Sequence, residues 1–143
     1  MWIDHRKALI VDARNGASSI VTVESPVEPR HRMLGQKGIA PPAHIGGCAE
    51  THYQNRRGEQ LRRHYDRVIR AIPAGAPLLI LGPGQAKLDL VKRMRRRRAT
   101  DRRLIELKPA GRMTPAQLTS HVRRAAALQI EARGARARRR RAG

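Results

Sequence analysis

The chain has no phenylalanine, two tyrosines and one tryptophan. That scarcity excludes a sheet of exposed aromatics on which bases stack, as in RNA-recognition motifs. The core has to be aliphatic, built from Leu, Ile, Val and Ala. Cysteine occurs once, at Cys48, so no internal disulfide can form and a reducing compartment is expected. No apolar run approaches the roughly 20 residues of a membrane-spanning helix. Asp4 and His5 interrupt the N-terminus too early for a signal peptide. A cytoplasmic location and no membrane partner are therefore expected. Acids are also few, 11 Asp+Glu, which leaves little material for the carboxylate groupings that hold catalytic divalent metal.

What abounds is arginine. Lys+Arg number 31, giving a formal net charge of +20 on 143 residues. Folding does not account for such a field, because self-repulsion opposes compaction. It implies a polyanionic partner: RNA, DNA or an anionic membrane surface. The segment 133–143 holds six Arg and no acid, so residues 1–132 still carry +14. The basic character belongs to the body as well as to the tail.

The length fits one domain, placed at 1–132 and followed by a tail at 133–143. The opening "MWIDHRKALIVDARNGASSIVTVES" predicts a β-hairpin over 8–11 and 20–23, turning at Asn15-Gly16. "VEPRHRML" (27–34) is a candidate edge-like third strand, since Pro29 removes one backbone donor. Residues 35–47 show no periodicity and predict a long loop. A helix is expected from about 54 to 72, with Leu61, Tyr65, Val68, Ile69 and Ile72 on one stripe. Arg56, Arg63, Arg67 and Arg70 fall on the opposite side. Pro73 and Gly75 end it.

A strand over 77–81, the corner Gly82-Pro83-Gly84, and a helix from about 85 to 96 follow. Then come a strand over 103–107 and a helix opened by Thr114-Pro115-Ala116-Gln117, a strong start signal. Leu118, Val122, Ala125, Ala126 and Gln129 share a face of that last helix. Helices alternating with apolar strands imply parallel pairing in the second half. The expected fold is α/β: an RNase H-like mixed sheet of about five strands with three main helices. The tail "RGARARRRRAG", lacking an apolar face, is expected to be disordered.

The Gly-Pro-Gly corner invites comparison with a phosphate loop. Pro83 removes a donor and the Gly-x-x-x-x-Gly-Lys-Ser/Thr spacing is absent, so a structural corner is the plainer reading. On that reading Gly84 supplies an unusual backbone angle and close strand-to-helix packing. Lys87, one turn into the helix, either approaches a phosphate or lies on the surface.

The stretch "LLILGPGQAKLDLVKRM", preceded by the Arg-rich "RRGEQLRRHYDRVIRAI", resembles the central domain of Pelota and the class-one archaeo-eukaryotic release factors. It is more closely similar to small bacterial single-domain proteins related to them, which open "MWIDH" and continue "KALIV". The similarity covers roughly residues 1–130. It implies an RNase H-like fold and a ribosomal setting, with rRNA or tRNA as partner. In release factors this domain carries a Gly-Gly-Gln loop that promotes peptidyl-tRNA hydrolysis. Here Gly46-Gly47-Cys48 stands in roughly that place, and a thiol lacks the amide's carbonyl and donor pair. Peptide release is therefore not carried over.

Two other chemistries are weaker. Asp4 and Asp12 are too far apart along the chain to meet readily at a metal. Asp66, Asp89 and Asp101 lie beside cations, where pairing with Arg is the simpler role. None of the six histidines has metal-ligand spacing with Cys48, and no metal or cofactor is expected. The densest basic block is Lys92, Arg93, Arg95, Arg96, Arg97 and Arg98, followed by Arg102 and Arg103. Helix-dipole complementarity needs one or two cations, whereas this block holds eight in twelve positions. With the Arg56/Arg63/Arg67/Arg70 ridge, Lys87 and the tail arginines Arg138, Arg139, Arg140 and Arg141, it reads as an electrostatic footprint. The expected function is a ribosome- or RNA-associated translation module without release chemistry. The alternatives are a peptidyl- or aminoacyl-RNA hydrolase using the residual Gly-Gly loop, and a DNA-binding accessory protein. Phosphate contacts alone do not separate RNA from DNA.

Overall fold

The computed structural model describes residues 1–13, 17–27, 46–75, 77–97 and 104–141. Their order is β1 (Trp2–Ile3), β2 (Lys7–Asp12), β3 (Ser19–Glu24), α1 (Gly46–Ala71), β4 (Leu78–Gly82), α2 (Ala86–Arg96), β5 (Leu104–Pro109) and α3 (Pro115–Arg141). The five strands form one open mixed sheet in the order β3-β2-β1-β4-β5. β2 pairs antiparallel with both β1 and β3, while β1 pairs parallel with β4 and β4 parallel with β5. The expected mixed sheet, its hairpin and its parallel second half are all present.

The central strands are buried on both faces because their side chains alternate. Ile3, Ala8, Ile10, Leu78 and Ile80 join Tyr65, Val68, Ile72, Leu90 and Met94 in one core beneath α1 and α2. Trp2, Leu9, Val11, Leu79 and Leu81 join Leu118 in a second core beneath α3. The helices α1 and α2 therefore lie on one face of the sheet and α3 on the other. Of the five side chains expected inside from α1, Tyr65, Val68 and Ile72 are buried and Leu61 and Ile69 half-buried.

β1 was not foreseen, since two residues carry no periodic signal. It is nevertheless the centre of the sheet: the Met1 amine donates to the Leu79 carbonyl at 2.7 Å and Trp2 Nε1 to the Gly111 carbonyl at 2.7 Å. Asp4 turns β1 into β2, its Oδ1 accepting from the amides of Arg6 (2.7 Å) and Lys7 (2.8 Å).

α1 begins at Gly46, earlier than its apolar stripe. Residues 46–47, expected in the loop, and 48–53, ahead of the expected helix start, are helical. The candidate strand at 27–34, apart from Val27, lies outside the described residues, as do 35–45. The Thr114 start signal performs as read: the Thr114 amide donates to Gln117 Oε1 (2.9 Å) and the Gln117 amide to Thr114 Oγ1 (3.2 Å). α3 then continues as helix to Arg141, where a disordered tail was expected. Ala and Arg are both strong helix formers, and here that propensity prevails over like-charge repulsion.

Burial drives the Met1 amine from 8.0 down to about 5, and drives the His64 ring below its ordinary value, aided by the Arg67 charge. Among the described residues neither His64 nitrogen has a hydrogen-bond partner. Both groups bind protons less readily in the folded chain than when unfolded, so stability should fall as pH drops. The amine acts between pH 8 and 5, and the imidazole adds to it below its ordinary range. The amine alone is worth up to about 4 kcal/mol across that window. Denaturant titrations at pH 8, 7, 6 and 5, followed by Trp2 fluorescence, should show midpoints declining steadily with acidity. A flat series would show that neither group is buried.

Candidate nucleic-acid interface

The outward face of α1 follows from its pitch. With Tyr65, Val68 and Ile72 held in the core, residues half a turn away face solvent. Arg56, Arg63, Arg67 and Arg70 are all exposed, as the spacing requires. Arg67 also donates to the Glu24 carbonyl at 2.8 Å, tying the ridge to the edge strand β3. On α2, Ala86, Leu90, Val91 and Met94 face inward, and Lys92, Arg95 and Arg96 face out.

What joins these two rows is Asp66. Its carboxylate accepts from Arg93 Nε at 2.8 Å, Arg93 Nη2 at 2.9 Å and Arg97 Nη2 at 2.8 Å. The Arg93 hydrogen bonds hold Asp66 below the usual carboxylate range, and the charges of Arg93, Arg97 and Arg70 reinforce them against the cost of burial. One acid thus clamps α2 against α1 and sets their basic rows side by side. The pairing expected of this aspartate is found, and two cations of the basic block, Arg93 and Arg97, are engaged by it. Asp66→Ala should lower stability by about 1–3 kcal/mol, because charged hydrogen bonds are lost across a helix contact. A denaturant midpoint unchanged from wild type would show that the clamp holds nothing.

The corner before α2 is structural. Lys87 is buried and its Nζ donates to the Gly84 carbonyl at 2.7 Å, so the ammonium closes the turn that precedes its own helix. It does not belong to the exposed basic surface. Gly84 has the expected positive φ, 52°, but nothing lies within 4 Å of where its Cβ would be. The close approach belongs to Gly82, whose Cβ would sit 2.1 Å from the Ile3 carbonyl oxygen. Packing tightness is thus at the strand–strand contact with β1, not between strand and helix.

Other candidates separate in space. Arg138 is exposed on α3, on the far side of the sheet from the α1/α2 rows. Arg139, Arg140 and Arg141 lie in the same helix. Arg98, Arg102 and Arg103 lie outside the described residues. Gly46, Gly47 and Cys48 form the opening of α1 rather than a loop. Among the described residues no group of three or more His, Cys, Asp or Glu could hold a metal ion, and no helix is long and apolar enough to cross a membrane.

Asp66 as the clamp, Gly82 as the close contact and His64 as a buried ring were all missed in the sequence. Gly82, preceding Pro83, carried a hint, and for Asp66 pairing with Arg was expected, though not which arginines. No family model, curated protein or solved structure matches this chain.

Proposed function

We propose that this protein is an RNA-binding module of the translation apparatus, docking on rRNA or tRNA through the outer surface of α1 and α2. The observation that carries this reading is the adjacency of two exposed basic rows, four arginines on α1 and Lys92, Arg95 and Arg96 on α2, braced by a shared acid. A rigid array of guanidinium groups suits bidentate contact with phosphate, and its spacing follows helix geometry rather than loop motion. An RNase H-like assignment is consistent with the five-stranded mixed sheet carrying helices on both faces. The likeness of its motifs to the central domain of Pelota and the release factors supports a ribosomal setting and the choice of RNA over DNA.

No release chemistry is assigned, because Cys48 stands where an amide side chain would be required. The test is sedimentation of the tagged protein through a sucrose gradient from its native cells. At low salt it should travel with ribosomal particles, and at high salt it should move to the top, since phosphate contacts release counterions. A protein that stays at the top under both conditions would refute the ribosomal setting.

A further inference from the structure

The two basic regions of the chain lie on opposite faces of the sheet. α1 and α2 cover the core containing Ile3, Ile10 and Ile80; α3 covers the core containing Trp2, Leu9 and Leu118. α3 is 27 residues long, about 40 Å at 1.5 Å per residue. Its inward stripe fades along its length: Leu118 is buried, Val122, Ala125, Ala126 and Gln129 are half-buried, and every described side chain beyond Gln129 is exposed. The second half of α3 is therefore an arm with no core beneath it.

That arm is built from charge. α3 carries eight arginines against one acid, Glu131. Arg123, Arg124 and Arg138 are exposed among those described. Two helix layers and the sheet between them separate the outer surfaces by roughly 30 Å. The Debye length at physiological salt is about 8 Å. The two fields do not merge, and one straight duplex cannot lie on both sides of the slab.

Building on the RNA-binding reading, we propose that the protein is bivalent: one chain holds one double-stranded RNA segment on α1/α2 and a second on α3, bridging them. Charge at a single surface would need one patch. An equally basic helix lies on the opposite face and runs past its own core, with its described arginines, Arg123, Arg124 and Arg138, exposed.

The test mixes the full-length protein with an excess of a short RNA duplex at low salt and weighs the complexes. The wild type should give complexes of one protein with two duplexes. A variant lacking 133–143 and carrying Arg123→Gln and Arg124→Gln should give one protein with one duplex, with its Trp2 fluorescence and melting unchanged. The matched α1 variant, Arg56→Gln with Arg63→Gln, should also retain one duplex, now held by α3. Wild-type complexes that stop at one duplex, or that reach two only as a pair of proteins with two duplexes, would overturn bivalency while leaving RNA binding intact. Absence of any complex would overturn both readings.

Discussion

Gly82→Ala should melt about 10 °C below the wild type, the largest loss expected from adding a methyl group at any of the described glycines. Its Cβ would stand 2.1 Å from the Ile3 carbonyl oxygen and 3.1 Å from that carbonyl's carbon. Both are backbone atoms, so no flexible side chain can yield; β1 or β4 has to move. β1 sits between β2 and β4, and its own two residues, Trp2 and Ile3, feed the two cores. A shift there is felt on both faces of the sheet. Overpacking of this kind costs about 3 kcal/mol, a large share of the 5–15 kcal/mol that holds a domain together, and roughly 10 °C in melting temperature at this size. Gly84→Ala is the internal comparison. Its φ of 52° disfavours a side chain, but the space is open, so the cost should stay near 1 kcal/mol. Equal melting points for the two variants would refute the close contact between β4 and β1.

How much of this was legible beforehand depended on repetition. The α1 stripe has five members, and its burial and its opposed arginine ridge were both readable from spacing. The Thr114/Gln117 cap was readable because its two hydrogen bonds use a fixed three-residue offset. β1 has two residues and no period, yet it organises the sheet through partners 78 and 109 positions away. Such contacts leave no local mark. The same holds for Asp66, whose partners Arg93 and Arg97 lie 27 and 31 residues on. It looked like one acid among many cations, and only folding shows that it gathers them. Lys87 was open between phosphate and surface; it is buried, because the turn of its own corner offers the Gly84 carbonyl within reach. The length of α3 was misjudged through charge: a run of arginines repels itself, but interspersed alanines keep the backbone helical to Arg141.

The second large effect concerns the α1 ridge. Replacing Arg56, Arg63, Arg67 and Arg70 together by glutamine should weaken binding of structured RNA at the α1/α2 surface by about 100-fold or more at low salt, since each lost phosphate contact also forfeits its counterion release. The fold should persist, because all four side chains are exposed and none belongs to either core. Arg67 also ties α1 to the Glu24 carbonyl, so its loss should cost some melting temperature. Restoring Arg67 alone should recover that part without recovering most of the affinity.

The most direct test of the central claim is the salt dependence of RNA affinity, measured for the wild type and the four-arginine variant on the same RNA. If the α1 surface contacts phosphates, the logarithm of the wild-type binding constant should fall linearly with the logarithm of salt concentration. The slope for the variant should be shallower by about three. Identical slopes and affinities for the two proteins would contradict it, showing that the ridge faces water and that RNA, if bound at all, is held elsewhere.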